Sequence, residues 1–213
     1  MLPLDLPDDV ALRFAVPDAR GAAPLDALSP AERARLATFA HPDRRLGFAL
    51  GRTAARRLLA ERLGCPPEAV PLALAASGAP VVSGHPLHVS IAHAGRGADT
   101  LAAAVAAARP VGLDLERITP RRPDLYRRIL RPDEHALLDA LPLGHDEAQT
   151  LLWSLKEAVL KGLHTGLRRA ARTVHLQDVR DGAAVADAGE GSVWVLRYGR
   201  RGAFWVVVAL ADA

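Results

Sequence analysis

Cysteine is almost absent from this sequence of 213 residues, in which Cys65 is the only one. A disulfide within the chain and a cysteine-based metal site are therefore excluded, and the composition is typical of a protein kept in the reducing cytoplasm. Aromatic residues make up only 4%, so we expect a core of Leu, Ala and Val. The most apolar long stretch, Thr100 to Ala108, is far too short to cross a bilayer, and the N-terminus lacks the features of a signal peptide.

Lysine is nearly as scarce, because Lys156 and Lys161 are the only two and the rest of the basic charge is arginine. Arginine binds phosphate well, since its planar guanidinium donates to two oxygens at once. The net charge of +3 therefore indicates a polyanionic ligand or an acidic partner. A high-GC coding bias would produce the same composition, and the composition does not decide between the two explanations.

A long helix over 43–63 carries much of this charge. Its pattern of apolar positions is helical, and Gly64 followed by two prolines ends it. The arginines crowd the remaining faces of the helix, which makes them either a solvated surface or a phosphate-binding surface. These residues are Arg44, Arg45, Arg52, Arg56 and Arg57.

The order of predicted elements repeats in the two halves of the chain. Each half has a strand, a short helix with an acidic start, a long helix closed by glycine, and further strands. We therefore predict the α+β class with two similar lobes, at residues 1–108 and 109–213. We also predict a strand over Thr100–Ala108, joined by a hairpin to a strand that begins at Val111.

Two carboxylates, Asp114 and Glu116, lie two residues apart in that second strand. Side chains alternate along a strand, so both carboxylates share one face with Gly112. Like charges repel and are costly to bury unpaired. The pair is therefore either the solvated face of an edge strand or the oxygen ligands of a hard divalent cation.

A second acidic position lies on a predicted amphipathic helix that runs to about Lys161. Trp153, Glu157 and Lys161 follow one another at intervals of four, beside an apolar stripe. Glu157 and Lys161 could form an ordinary surface ion pair. Alternatively, Glu157 adds a third oxygen to a metal site with Asp114 and Glu116, while Lys161 faces a phosphate of the substrate.

Taken together, the two segments resemble the paired signature of the Sfp-type 4′-phosphopantetheinyl transferases. The first segment is Val111-Gly-Leu-Asp-Leu-Glu116, and the second is Trp153-Ser-Leu-Lys-Glu-Ala-x-x-Lys161. A block at His88 to Gly95 is similar to the segment of that family that ends in Ser-His-Ser-Gly. The resemblance covers roughly residues 30 to 170. It implies two lobes related by a pseudo-two-fold axis, with the active site in the cleft between them.

The resemblance implies a monomeric enzyme that moves the 4′-phosphopantetheine arm of coenzyme A onto a serine of an apo acyl or peptidyl carrier protein. The other product is adenosine 3′,5′-bisphosphate. By the same likeness, Asp114, Glu116 and Glu157 match the magnesium ligands. Glu157 also matches the base for the attacking serine hydroxyl, and Lys161 matches the lysine beside the transferring phosphate.

Coenzyme binding is implied for the first lobe, where His93 and either Arg45 or Arg52 fall in segments that contact the phosphates of coenzyme A. The sequence departs from the family pattern at three positions. Gly47 stands where an arginine is expected, Ala79 replaces a lysine, and Ala92 replaces the serine before the histidine.

Two other functions stay open at this point. The three departures would suit a degenerate transferase that binds coenzyme A without turnover. The basic charge would suit an anion- or nucleic-acid-binding module, although the strands lack the basic and aromatic platform of a single-strand binder. We therefore expect no nucleic-acid partner.

Overall fold

The computed structural model describes residues 4–120 and 128–212. The chain forms two compact units, one at Pro7–Ala108 and the other at Arg109–Ala213 with the N-terminal segment up to Leu6. Both units combine helices with an antiparallel sheet, which confirms the predicted α+β class. The pseudo-two-fold relation between the lobes stays a prediction. A helix predicted over 124–130 falls largely outside the described residues.

The first unit is built around a long helix on a small sheet. In chain order its elements are β1 Ala11–Ala15, α1 Pro30–Ala37, α2 Pro42–Leu63, β2 Leu72–Leu74, β3 Pro80–Val82, β4 His88–Ala94 and β5 Leu101–Ala107. Strands β1, β5 and β4 form an antiparallel sheet in that order, strands β2 and β3 form a hairpin, and α2 packs on β5 and β4. A Ser29–Glu32 capping box starts α1, and Gly64 in the left-handed conformation ends α2, as their sequences predict.

In chain order the elements of the second unit are β6 Val111–Arg117, α3 His135–Ala140, α4 His145–Gly162, β7 His175–Arg180, β8 Ala183–Asp187, β9 Val193–Arg201 and β10 Phe204–Ala211. The strands form an antiparallel sheet in the order β6, β10, β9, β8, β7. The sequence predicts a hairpin whose connection is 199–202. The hairpin is present as β9 and β10, but Gly199 belongs to β9, and Gly202 and Ala203 form the turn. Strand β8, a short Ala-rich strand, was not predicted.

The strand predicted over Thr100–Ala108 is present as β5, but its predicted hairpin with β6 is wrong. Strand β5 pairs with β1 on one edge and β4 on the other, so no edge is left for β6. Strand β6 pairs with β10 instead, from Val111 opposite Leu210 to Arg117 opposite Phe204. The short connection between the two strands therefore joins two sheets and marks the boundary of the units.

Helix α4 covers one face of the second sheet and contacts β6 and β10. Its predicted apolar stripe, which contains Leu152, Leu155 and Val159, is completely buried in the main core of this unit. Burial of this stripe fixes the rotation of the helix, because an amphipathic helix turns its apolar side to the core. Among the described helices, none combines the length and apolarity needed to cross a membrane.

Candidate active site

The candidate site lies where α4 crosses β6, and Gly112 allows the two to approach closely. A β-carbon at Gly112 would lie 1.8 Å from the carbonyl oxygen of Ala158 and 2.6 Å from the amide nitrogen of Gly162. Only glycine fits such a backbone contact. Because Gly112 shares a strand face with Asp114 and Glu116, this contact places both carboxylates under the helix.

Asp114 is 2% exposed, and both of its oxygens accept hydrogen bonds from α4. The ammonium of Lys161 donates to Oδ1 at 2.6 Å. The hydroxyl of Ser154 donates to Oδ2 at 2.7 Å. The alternative of a solvated strand face is therefore wrong for Asp114, because a helix with two matching donors covers it.

Glu116 lies further along the same face and is partly buried. Its Oε1 accepts a hydrogen bond of 2.9 Å from the indole Nε1 of Trp153. Trp153 also packs against the main core of the unit, which agrees with the packing role that its size favours. The side chain thus combines core packing with a specific contact to a predicted metal ligand.

The pKa of Lys161 is shifted by burial and by three carboxylates, those of Asp114, Glu157 and Glu116. Partial burial of its side chain lowers the pKa, but the charge and hydrogen bond of Asp114 outweigh this effect, and Glu157 and Glu116 add to it. The net result is a pKa raised above 10.5, so Lys161 is an ammonium at neutral pH. Glu157 itself is 9% exposed, one helical turn from Lys161.

Three of the four predicted residues of the second unit, Asp114, Glu116 and Glu157, therefore act electrostatically on the ammonium of the fourth, Lys161. Carboxylate oxygens are the ligands that magnesium prefers, so the chemistry of the donor set fits that metal. Within residues 4–120 and 128–212, however, no three His, Cys, Asp or Glu side chains form a group that could hold a metal ion. The metal assignment of Asp114, Glu116 and Glu157 therefore stays a prediction.

A second ion pair, between Lys156 of α4 and Glu134 just before α3, was not predicted from the sequence. Lys156 is completely buried, and its ammonium donates to both oxygens of Glu134 at 2.8 and 2.6 Å. Burial lowers the pKa of Lys156, and the Glu134 carboxylate opposes that shift. The sequence could have indicated a buried lysine, because Lys156 lies among the apolar residues of the helix and next to Glu157.

The predicted coenzyme contacts of the first unit differ in accessibility. Arg45 is exposed near the start of α2. Arg52 is only 7% exposed, and its Nε lies 3.6 Å from Oε1 of Glu32. Arg56 is also buried and donates to the same carboxylate, so a solvated surface is wrong for these two arginines.

His93 is exposed at the end of β4, and its ring lies against the backbone of Gly47 in α2. A β-carbon at Gly47 would lie 2.4 Å from Nδ1 of His93. An arginine at position 47, as the family pattern expects, would therefore displace the ring of His93 from the place it occupies in this structure. Ala92 is buried beside His93, at 3% exposure.

Comparisons with known proteins agree with these motifs. Residues 110–206 match the family model of the 4′-phosphopantetheinyl transferase superfamily. A 4′-phosphopantetheinyl transferase of Bacillus subtilis is 29% identical over 146 residues, which cover 66% of this chain and 62% of that protein. The 4′-phosphopantetheinyl transferase psf-1 of Bacillus pumilus is 31% identical over 137 residues, which cover 63% and 57%. The chain thus spans about six tenths of the length of these relatives.

Among solved structures, the chain is similar to the holo-[acyl-carrier-protein] synthase of Neisseria meningitidis. That similarity has a TM-score of 0.41 and 16% identity, and it covers 49% of this chain and 98% of the other. The family match and the two Bacillus relatives confirm the predicted resemblance to the phosphopantetheinyl transferases.

Proposed function

We propose that this protein transfers the 4′-phosphopantetheine arm of coenzyme A to a carrier protein, since residues 110–206 match the family model of the 4′-phosphopantetheinyl transferase superfamily. The acceptor is a serine of an apo acyl or peptidyl carrier protein, and the second product is adenosine 3′,5′-bisphosphate. The observation that carries the proposal is the buried Asp114 held between Lys161 and Ser154 under α4.

In the proposed reaction the serine oxygen bonds to the phosphorus that carries pantetheine, and the bond from that phosphorus to the bridging oxygen breaks. Asp114, Glu116 and Glu157 would hold magnesium, which supplies positive charge to the pyrophosphate oxygens. Lys161 adds a second positive charge, and its raised pKa keeps it protonated. Glu157 would accept the proton of the serine hydroxyl, directly or through a water molecule.

Residues of the first unit would hold the phosphates of coenzyme A. Of the two predicted arginines, Arg45 would contact a phosphate, because it is exposed near the start of α2. Arg52 is buried and shares the carboxylate of Glu32 with Arg56, so it is less accessible to a ligand than Arg45. His93 is exposed and would donate to a phosphate oxygen when protonated.

The test incubates the protein with coenzyme A, magnesium and several apo carrier proteins, and weighs the carriers by mass spectrometry. We expect a mass increase of one phosphopantetheine group, and its loss when magnesium is chelated. Asp114→Asn should abolish transfer, because it removes the charge at the centre of the site. The matched control is Asp178→Asn, since Asp178 is an exposed carboxylate paired with Arg180 in the same unit.

Failure of every carrier to gain mass would refute the proposed activity. Binding of coenzyme A without transfer would favour the degenerate transferase, and strongly salt-dependent binding to DNA would favour the nucleic-acid-binding module. Unchanged transfer by Asp114→Asn would remove that residue from the reaction.

A further inference from the structure

Helix α4 carries one uncharged donor for each of the two carboxylates of β6, and these donors are consecutive residues. We infer that Ser154 and Trp153 are positioning residues that hold Asp114 and Glu116 in the orientation that binds the metal. This inference rests on the proposed function, since it deepens the role of the same site. It concerns residues that touch the predicted ligands and not the reacting atoms.

The hydroxyl of Ser154 is used in an unusual way for a helix. A hydroxyl inside a helix commonly bonds to the carbonyl four residues earlier. Thr150, one turn before Ser154, does this and donates to the carbonyl of Asp146 at 2.7 Å. Ser154 is completely buried and donates instead across to Oδ2 of Asp114, at 2.7 Å. Its hydroxyl therefore orients a carboxylate on another element.

The indole of Trp153 acts on the second carboxylate. Its N–H is a donor only, so it always presents a proton to Oε1 of Glu116, 2.9 Å away. Consecutive helix residues point about 100° apart, whereas Asp114 and Glu116 share one strand face at a separation of about 7 Å. Two neighbouring donors can therefore serve two carboxylates that are two residues apart.

The consequence is a ligand pair that is oriented before any cation arrives. A carboxylate that must be ordered on binding loses rotational freedom, and that loss weakens the binding. Hydrogen bonds to metal ligands from surrounding side chains typically change metal affinity or activity by about 10- to 100-fold. Ser154 and Trp153 therefore determine how much magnesium the enzyme needs.

The test compares two variants with two matched controls. Ser154→Ala and Trp153→Phe each remove one donor to a carboxylate. Thr150→Val removes a buried hydroxyl of the same helix, and Trp205→Phe removes a buried indole N–H that donates to a backbone carbonyl at 3.0 Å. For each protein we would measure the half-saturating magnesium concentration, the KM for coenzyme A, the binding of Mn²⁺ by calorimetry and the midpoint of thermal unfolding.

We expect Ser154→Ala and Trp153→Phe each to raise the half-saturating magnesium concentration about tenfold, with a matching loss of Mn²⁺ affinity. The KM for coenzyme A and the values of both controls should stay within about twofold of the parent protein. If Ser154→Ala does not fold, Trp153→Phe decides the question, because Trp153 is only partly buried.

Two results would overturn the inference while leaving the proposed function intact. One is a parent protein that is active and whose two donor variants keep the parent's requirement for magnesium. The other is an equal rise in all four variants, which would indicate general loosening of the unit. A parent protein with neither transfer activity nor Mn²⁺ binding would instead refute the proposed function itself.

Discussion

Substitution of Lys156 by methionine tests how strongly the second unit depends on a buried ion pair. Lys156 and Glu134 are both buried to 1% exposure or less. The carboxylate accepts the ammonium on both oxygens, and it also accepts the amides of Leu176 at 2.8 Å and Arg131 at 2.7 Å. Lys156→Met has a similar volume, so the substitution removes the charge while nearly preserving the packing.

The expected loss of stability is large. Removal of one partner from a buried ion pair typically costs about 3–5 kcal/mol, because the other charge is left buried and uncompensated. The two backbone amides still stabilise the Glu134 carboxylate, so we expect about 3 kcal/mol, at the lower end of that range. That is well above the roughly 1 kcal/mol of an ordinary substitution.

A double variant separates the buried charge from the lost packing. In Lys156→Met with Glu134→Gln, the buried group is neutral, and its carbonyl still accepts one backbone amide. We expect the double variant to be about 1–2 kcal/mol more stable than Lys156→Met, since an unpaired buried charge costs more than a neutral polar group. Arg180→Met is the control, because its exposed pair with Asp178 should contribute less than about 1 kcal/mol.

Urea unfolding followed by tryptophan fluorescence is the assay. All three tryptophans lie in the second unit, so the signal reports the unit that holds the ion pair. A loss below about 1 kcal/mol for Lys156→Met would contradict the argument from buried charge. Equal stabilities of Lys156→Met and the double variant would do so as well.

Three other predictions concern the candidate active site of the second unit and the predicted coenzyme contacts of the first. Gly112→Ala should destabilise the second unit by about 3 kcal/mol or more in urea unfolding. The reason is that its β-carbon would lie 1.8 Å from a backbone carbonyl oxygen of α4. A variant as stable as the parent protein would contradict this prediction. Between pH 7 and about pH 10, Lys161→Gln should destabilise the second unit by a constant amount, which shrinks only above that range. A lysine whose pKa is raised by Asp114 contributes fully below its ordinary value of 10.5. A difference in stability that disappears near pH 7 would refute this prediction. Gly47→Ala should leave the stability of the first unit unchanged or raise it by up to about 1 kcal/mol. It should also raise the KM for coenzyme A, because its β-carbon would displace the exposed ring of His93. An unchanged KM would show that this ring does not contact the coenzyme.

Local patterns predicted the elements of the site well. The alternation of β6 placed Asp114 and Glu116 on one face, and that strand is present with this register. The period of α4 predicted its buried stripe. The prediction of a hairpin from β5 to β6 was wrong, because strand pairing depends on which edges other strands occupy. The preceding strand β4 occupies one edge of β5, and β1, which is distant in the chain, occupies the other.

The sequence by itself determined the residue types and local spacing of the candidate site, because periods of two and of 3.6 residues follow from backbone geometry alone. Tertiary structure alone decided what surrounds those residues. It placed Ser154 against a carboxylate forty residues away and turned Arg52 inward to Glu32. It also laid the ring of His93 on Gly47. Such contacts join segments far apart in the chain, and they depend on how helices and strands pack, which no local spacing encodes.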